Sequence, residues 1–142
     1  MRIAALDDDP LQLEMLRQVA TEAGHSCHTF LKGAALQQEL RRESFDLLLI
    51  DWELPDTKGP DVVRWVREQI SKDVPIIFIT HRSEEADIIE GLASGADDFM
   101  IKPIRAGELR AHLLLAAPCL PADCAKRSDF RALPLSHCHQ WH

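Results

Sequence analysis

Four short stretches of this chain carry residues whose types could do chemistry together. Asp7, Asp8 and Asp9 stand in a row near the N-terminus, and Asp51 follows the apolar run Leu47–Ile50. Thr80 closes a second apolar run, Ile76–Ile79, and Lys102-Pro103 follows a third, Phe99–Ile101. Carboxylates brought close together repel and raise one another's pKa. A divalent cation relieves this. Magnesium suits such a set because it prefers oxygen ligands, takes one or two carboxylates, and keeps places for water and a phosphate oxygen. Lys102 would add a positive point charge toward an anion, and Thr80 a hydroxyl donor. Gathered at one edge, these groups make a phosphoryl-transfer site with an aspartate nucleophile.

The elements that would gather them alternate along the chain. Apolar runs at Ile3–Leu6, Leu47–Ile50, Ile76–Ile79 and Phe99–Ile101, with the weaker Ser26–Phe30, read as strands. Between and after them lie helical patterns. Leu13, Leu16, Ala20 and Ala23 share one face of a first helix, Leu36 and Leu40 mark a second, and Val62, Val63, Val66 and Ile70 a third. Ile88, Ile89 and Leu92 mark a fourth, Leu109 and Leu113 a fifth. Asp9-Pro10 reads as a helix cap followed by proline at the first helical position, and Gly24, Gly91 and Gly95 punctuate helix ends. Five strand-plus-helix units predict an α/β fold: a five-stranded parallel sheet with helices on both faces. Chemistry in such folds gathers outside the carboxyl ends of the strands, where Asp7, Asp8, Asp51, Thr80 and Lys102 fall.

Composition sets the frame. The chain has 142 residues, 46% hydrophobic and 27% charged, with net charge −7, which fits one domain with a real core. The acidic balance argues against direct nucleic-acid binding. No stretch approaches a membrane span and no signal-peptide core precedes the first acidic residues, so a cytoplasmic protein is expected. The composition changes near residue 117. Residues 118–142 hold Cys119, Cys124 and Cys138, His137, His139 and His142, and three prolines, with no period; their charge is +1, leaving −8 on residues 1–117. This reads as a compact acidic domain, 1–117, followed by an irregular tail, 118–142. The spacing of the tail's cysteines and histidines lacks the paired short intervals of a structural zinc site.

Taken together, Asp7-Asp8, the segment Asp51-Trp52-Glu53-Leu54-Pro55 running to Gly59, Thr80, and Gly95-Ala96-Asp97-Asp98-Phe99 leading into Lys102-Pro103 resemble the receiver domain of bacterial two-component response regulators. The wording of Ser83-Glu84-Glu85-Ala86-Asp87 and of the Gly95 stretch is similar to the winged-helix transcription-factor branch. The resemblance implies a flavodoxin-like (βα)5 fold and a phosphorylation-controlled switch rather than an enzyme. It implies that Asp51 accepts a phosphoryl group from a phosphohistidine of a sensor histidine kinase. Asp8 and Asp51 would bind Mg2+ directly, Asp7 mostly through water, and Glu53 through its backbone carbonyl. Lys102 would pair with the phosphate after a cis Lys102-Pro103 bond. Thr80 would move toward the phosphate and draw in Phe99 as the switch aromatic, altering the face of helix four, strand five and helix five. The partner of that face is a downstream protein or a DNA-binding output domain missing from this chain.

Plainer readings stand beside these. Asp9 beside Pro10 reads as an N-cap rather than a ligand. Trp52 and Trp65 read as packing residues, with Trp52 placed to report metal binding. Cys27 reads as a small core residue. Three features depart from the receiver pattern. His81 follows Thr80 where a small residue is usual, and either narrows access to Asp51 or turns to solvent. Asp97, Asp98 and Glu108 supply the acidic half of a dimer face, while Ile88, Glu90 and His112 stand where basic partners are expected, so self-association there is expected to be weak or altered, with Ile88, Ile89 and Leu92 left as an apolar patch. The residues after helix five are too few for a DNA-binding domain, so the expectation is either a single-domain regulator acting through protein contacts or a receiver whose output domain lies outside this sequence. Two other functions use the same residues: a receiver-like binding module that works without phosphorylation, and an aspartate-nucleophile phosphatase of the haloacid dehalogenase type, with Glu53 as second carboxylate.

Overall fold

Strand and helix alternate five times in the computed structural model, which describes residues 1–82 and 84–116. The elements are β1 (Arg2–Leu6), α1 (Pro10–Glu22), β2 (Ser26–Phe30), α2 (Gly33–Leu40), β3 (Leu47–Asp51), α3 (Gly59–Gln69), β4 (Ile76–Thr80), α4 (Glu85–Ser94), β5 (Asp98–Ile101) and α5 (Ala106–Ala116). All strand pairs are parallel, in the order β2-β1-β3-β4-β5. The expected α/β architecture is therefore present. The irregular tail and its Cys/His set lie outside the described residues. No described helix is long and apolar enough to cross a membrane.

The period of two along each strand divides the core into two layers. Ile3, Ala5, Leu47, Leu49, Ile77, Ile79 and Met100 pack with Leu13, Leu16, Leu109 and Leu113 of α1 and α5. Ala4, Leu6, Leu48, Ile50, Ile76 and Phe78 pack with Leu36, Val62, Val63 and Val66 of α2 and α3. β3 and β4 are buried on both faces, as central strands of a covered parallel sheet must be. Each such Leu, Ile or Val side chain removed from water contributes roughly 1.5–3 kcal/mol.

The same parity decides what reaches the carboxyl edge. Asp7, Asp51 and Lys102 continue the alternation of Ala5, Leu49 and Met100, on the α1/α5 side. Thr80 continues that of Phe78, on the other side, where Phe99 also packs. The ionic groups and the hydroxyl–aromatic pair are thereby sorted to opposite faces of adjoining strand ends.

Helix ends follow local chemistry. The Asp9 carboxylate accepts from Leu11 N at 3.0 Å with Pro10 at the first helical position, as the cap reading expects. Gly59 opens α3 where a Cβ would lie 2.7 Å from the Asp51 carbonyl oxygen and 2.8 Å from Trp52 Cα, so only glycine lets the loop close on β3. Gly95 ends α4 at φ 122°, a conformation that L side chains rarely adopt. Arg67 ties this end down: its guanidinium donates to Gly95 O at 2.9 Å, Val74 O at 2.7 Å and Asp97 Oδ2 at 3.0 Å.

Three details differ from the sequence reading. Ala23 is exposed as the C-cap of α1, and Val19 takes its place in the core. Gly91 lies inside α4 rather than at its end, packed where a Cβ would meet Trp52 and Phe78. Ile89 is 58% exposed while Ile88 and Leu92 are half-buried, so α4 presents part of its apolar set to solvent.

Candidate functional site

The ends of β1, β3 and β5 bring Asp7, Asp51 and Lys102 together. Lys102 Nζ stands 3.0 Å from Asp7 Oδ2 and 3.5 Å from Asp51 Oδ2. Both carboxylates are buried, Asp7 at 0% and Asp51 at 4% exposure. Asp8 beside them is exposed, and oxygens of Asp7, Asp8 and Asp51 all lie within 4.8 Å of one another. The Lys102-Pro103 bond is cis, as the resemblance implies.

Three carboxylates face one ammonium, and the electrostatics follow. Burial and then the Asp7 charge push the Asp51 carboxyl from 3.8 up to about 7, opposed by Lys102; Asp8 adds to the rise and a hydrogen bond from the Glu53 backbone N–H opposes it. Burial alone would lower the Lys102 ammonium, but Asp7 and Asp51 outweigh it and hold the group above its usual value. Asp7 Oδ1 accepts from Asp9 N at 3.0 Å, whereas its buried Oδ2 meets Lys102 as an ion pair without an aligned hydrogen bond. The cluster therefore has surplus negative charge and a buried oxygen with acceptor capacity to spare. That is the donor set a hard, oxygen-seeking dication fits, and Mg2+ matches it in charge and ligand type.

Thr80, 3% exposed, ends β4. Its Oγ1 accepts from Arg82 N at 2.9 Å and its carbonyl from Lys102 N at 2.7 Å, which ties the Thr80 strand end to the lysine. Phe99 is half-buried and lines a void of about 10 Å3 with Trp52, Phe78, Thr80, Ile88 and Gly91. A hydroxyl and an aromatic ring thus share one small space beneath α4. His81 is exposed. Trp52 is buried against Phe78, ring centroids 5.1 Å apart, as a packing residue should be. Cys27 is half-buried beside the α1/α5 core, and burial pushes its thiol up to about 11, so it is an unreactive thiol at neutral pH.

One member of the site has no counterpart in the sequence reading. Arg82 donates to the Glu53 carboxylate, lies 3.4 Å from Asp87 Oδ1 of α4, and stacks over Trp52 at 5.4 Å. It bridges the loop after β3 to α4 across the mouth of the site. The available signal was spacing: Glu53 follows Asp51 by two residues, Arg82 follows Thr80 by two, and the strands before them are neighbours. The Glu53 side chain is engaged by this arginine, and Asp51 ends the third strand rather than the first. Both facts depart from the phosphatase pattern. On the dimer face, Asp97 is paired within the chain to Arg67, and Asp98 Oδ2 lies 3.3 Å from His112 Nδ1.

Comparison with known proteins identifies the family and the fold. Residues 3–114 match the family described as response regulator receiver domain. The chain is 34% identical over 113 residues to the phosphate regulon transcriptional regulatory protein PhoB of Rhizobium meliloti (strain 1021), covering 79% of this chain and 50% of that protein. It is 36% identical over 107 residues to the TorCAD operon transcriptional regulatory protein TorR of Escherichia coli (strain K12), covering 75% and 46%. The chemotaxis response regulator CheY4 of Vibrio cholerae superposes with a TM-score of 0.78 at 26% identity, over 82% of this chain and 98% of that one. The chain spans about half the length of the curated relatives it matches. Both of those are transcriptional regulators, in keeping with the winged-helix branch that the Gly95 stretch resembles. With a matching fold and a family match across nearly all the described residues, this chain belongs to the response regulator receiver domain family of two-component systems.

Proposed function

We propose that this receiver is switched by phosphorylation of Asp51. The observation that carries the reading is the buried edge where Asp51 and Asp7 share the Lys102 ammonium, at 3.5 and 3.0 Å. The donor is a phosphohistidine of a sensor histidine kinase. An Asp51 carboxylate oxygen forms the new O–P bond as the N–P bond breaks, and the imidazole leaves. Attack by water later returns the carboxylate and releases inorganic phosphate. The chain's own chemistry goes no further than accepting and slowly losing this group, so it acts as a switch rather than a turnover enzyme.

Asp8, Asp51 and the Glu53 backbone carbonyl would hold Mg2+ directly, with Asp7 acting mostly through water. The ion, when bound, neutralises the carboxylates and the charge on the transferring phosphoryl group. Lys102 supplies the remaining positive charge beside the acceptor oxygen and pairs with the phosphate once formed. Asp7 holds that ammonium in place. Thr80 exchanges its bond from Arg82 N for one to the phosphate, and the Phe99 ring that packs beside it repacks in response. New charge-assisted hydrogen bonds at the edge thereby bias the α4–β5–α5 face.

The switch unit is residues 1–117, working in the cytoplasm, with 118–142 an appended segment. Its downstream partner is a protein target or a DNA-binding output domain, as the half-length match to transcriptional regulators suggests. The receiver itself, with its acidic balance, does not contact nucleic acid directly in this role. Self-association through the α4–β5–α5 face is weak, because Asp97 and Asp98 already have partners within the chain. Phosphoramidate, a small N–P donor, tests the chemistry. The wild type should acquire a label that requires a divalent cation and maps to Asp51 after borohydride reduction. A label on any other residue would refute the assignment.

A further inference from the structure

The loop between β3 and α3, residues 52–58, carries two contacts of the site on its Glu53 backbone: the N–H that donates to the Asp51 carboxylate and the carbonyl assigned to the cation. Its near end is fixed by Gly59 N donating to Trp52 O at 2.8 Å and by the Glu53–Lys58 bridge. Its far end reaches a different helix. Asp56 Oδ1 accepts from Gly33 N at 2.9 Å and Oδ2 from Ala34 N at 3.0 Å, the first backbone donors of α2. The residue in the N-cap position of α2, Lys32, makes no side-chain cap bond. A helix that would ordinarily be capped from its own chain is capped here by a carboxylate 22 to 23 residues away.

The contact is built from both sides. A Cβ on Gly33 would lie 2.6 Å from Thr57 Cγ2 and 3.5 Å from Asp56 Oδ1, so the missing side chain is what lets the loop seat against α2. Hydrogen bonds from Ala34 N and Gly33 N hold the Asp56 carboxyl below the usual carboxylate range, so it is charged at neutral pH and attracted to the positive end of the helix.

We propose that Asp56 is a positioning residue of the phosphoryl-transfer site: by docking the β3–α3 loop onto the start of α2 it fixes the Glu53 backbone against Asp51 and the cation. The inference rests on the reading of the site given above. Asp56 touches neither the cation nor the phosphate and acts through the loop alone. Supporting groups of this kind typically change metal affinity by about ten- to a hundredfold.

The test separates positioning from mere helix capping. Magnesium binding to the full chain is measured by titration calorimetry, and the thermal midpoint in chelator, for wild type, Asp56→Ala and Asp56→Ala/Lys32→Ser. The serine stands where the backbone is already extended, at φ −134° and ψ 147°, and offers α2 a cap of its own. Asp56→Ala should weaken magnesium binding by about tenfold. The added serine should recover the thermal midpoint and leave magnesium binding weak. Asp56→Asn, keeping one acceptor, should fall between and supplies the comparison if the alanine variant does not fold. Unchanged magnesium affinity in Asp56→Ala or Asp56→Asn, or its recovery with Lys32→Ser, would make Asp56 a cap only and overturn the proposal. Failure of the wild type to bind magnesium would overturn the reading of the site, and the proposal with it.

Discussion

Replacing Asp51 by Asn should make the metal-free protein more stable at pH 8, although it removes the residue assigned to accept phosphate. Burial and the Asp7 charge raise the Asp51 carboxyl from 3.8 to about 7. The folded state therefore holds a proton that the unfolded chain releases, and this group's contribution to stability falls as pH rises from about 4 to about 7. The rise spans about three pH units at about 1.36 kcal/mol each, or about 4 kcal/mol against folding at pH 8. At pH 5 most of that has gone. Asparagine keeps the shape and an acceptor oxygen for the Glu53 N–H but leaves Lys102 only Asp7, so about 2–4 kcal/mol is the expected gain. For a chain of this size that is roughly 5–15 °C in thermal midpoint. The assay is thermal unfolding of wild type and Asp51→Asn in chelator at pH 5 and pH 8, repeated with magnesium. The variant's lead should shrink on acidification, and magnesium should stabilise the wild type far more than the variant. An Asp51→Asn protein that melts at or below the wild type at pH 8 in chelator, or a lead that grows toward pH 5, would refute the electrostatic reasoning.

Other outcomes follow from individual contacts. In Gly91→Ala the new Cβ would lie 2.8 Å from Trp52 Cζ3 and 3.2 Å from the Phe78 ring, and overpacking should cost about 1–3 kcal/mol in urea unfolding. His81→Ala tests whether the exposed imidazole that follows Thr80 narrows the approach to Asp51, in which case loss of phosphate should quicken by up to about tenfold, equivalent to about 1.4 kcal/mol in the barrier. An unchanged lifetime would mean that the exposed imidazole does not screen Asp51.

Much of this site was legible because alternation and position carry it. Apolar runs on both faces forced a covered parallel sheet, and strand ends of a parallel sheet share one edge. Residue parity then put Asp7, Asp51 and Lys102 on one side and Thr80 with Phe99 on the other. What stayed hidden depended on contacts between loops distant in sequence. Arg82 looks like an ordinary surface cation until the chain after β4 is seen beside that after β3, and Asp56 looks like a turn residue until α2 is seen beneath it. Gly91 read as helix punctuation because its periodicity cannot reveal that Trp52 occupies the space of its missing side chain. Likewise, Asp97 read as half of an intermolecular pair because nothing local marks Arg67, thirty residues earlier, as its partner.

The central claim is that Asp51 is the phosphoryl acceptor, and intact-mass spectrometry tests it most directly. The wild type and Asp51→Asn would be incubated with magnesium and acetyl phosphate side by side. One phosphoryl adduct on the wild type, absent from Asp51→Asn and abolished by chelator, is the predicted result. An adduct of equal yield on Asp51→Asn would contradict it.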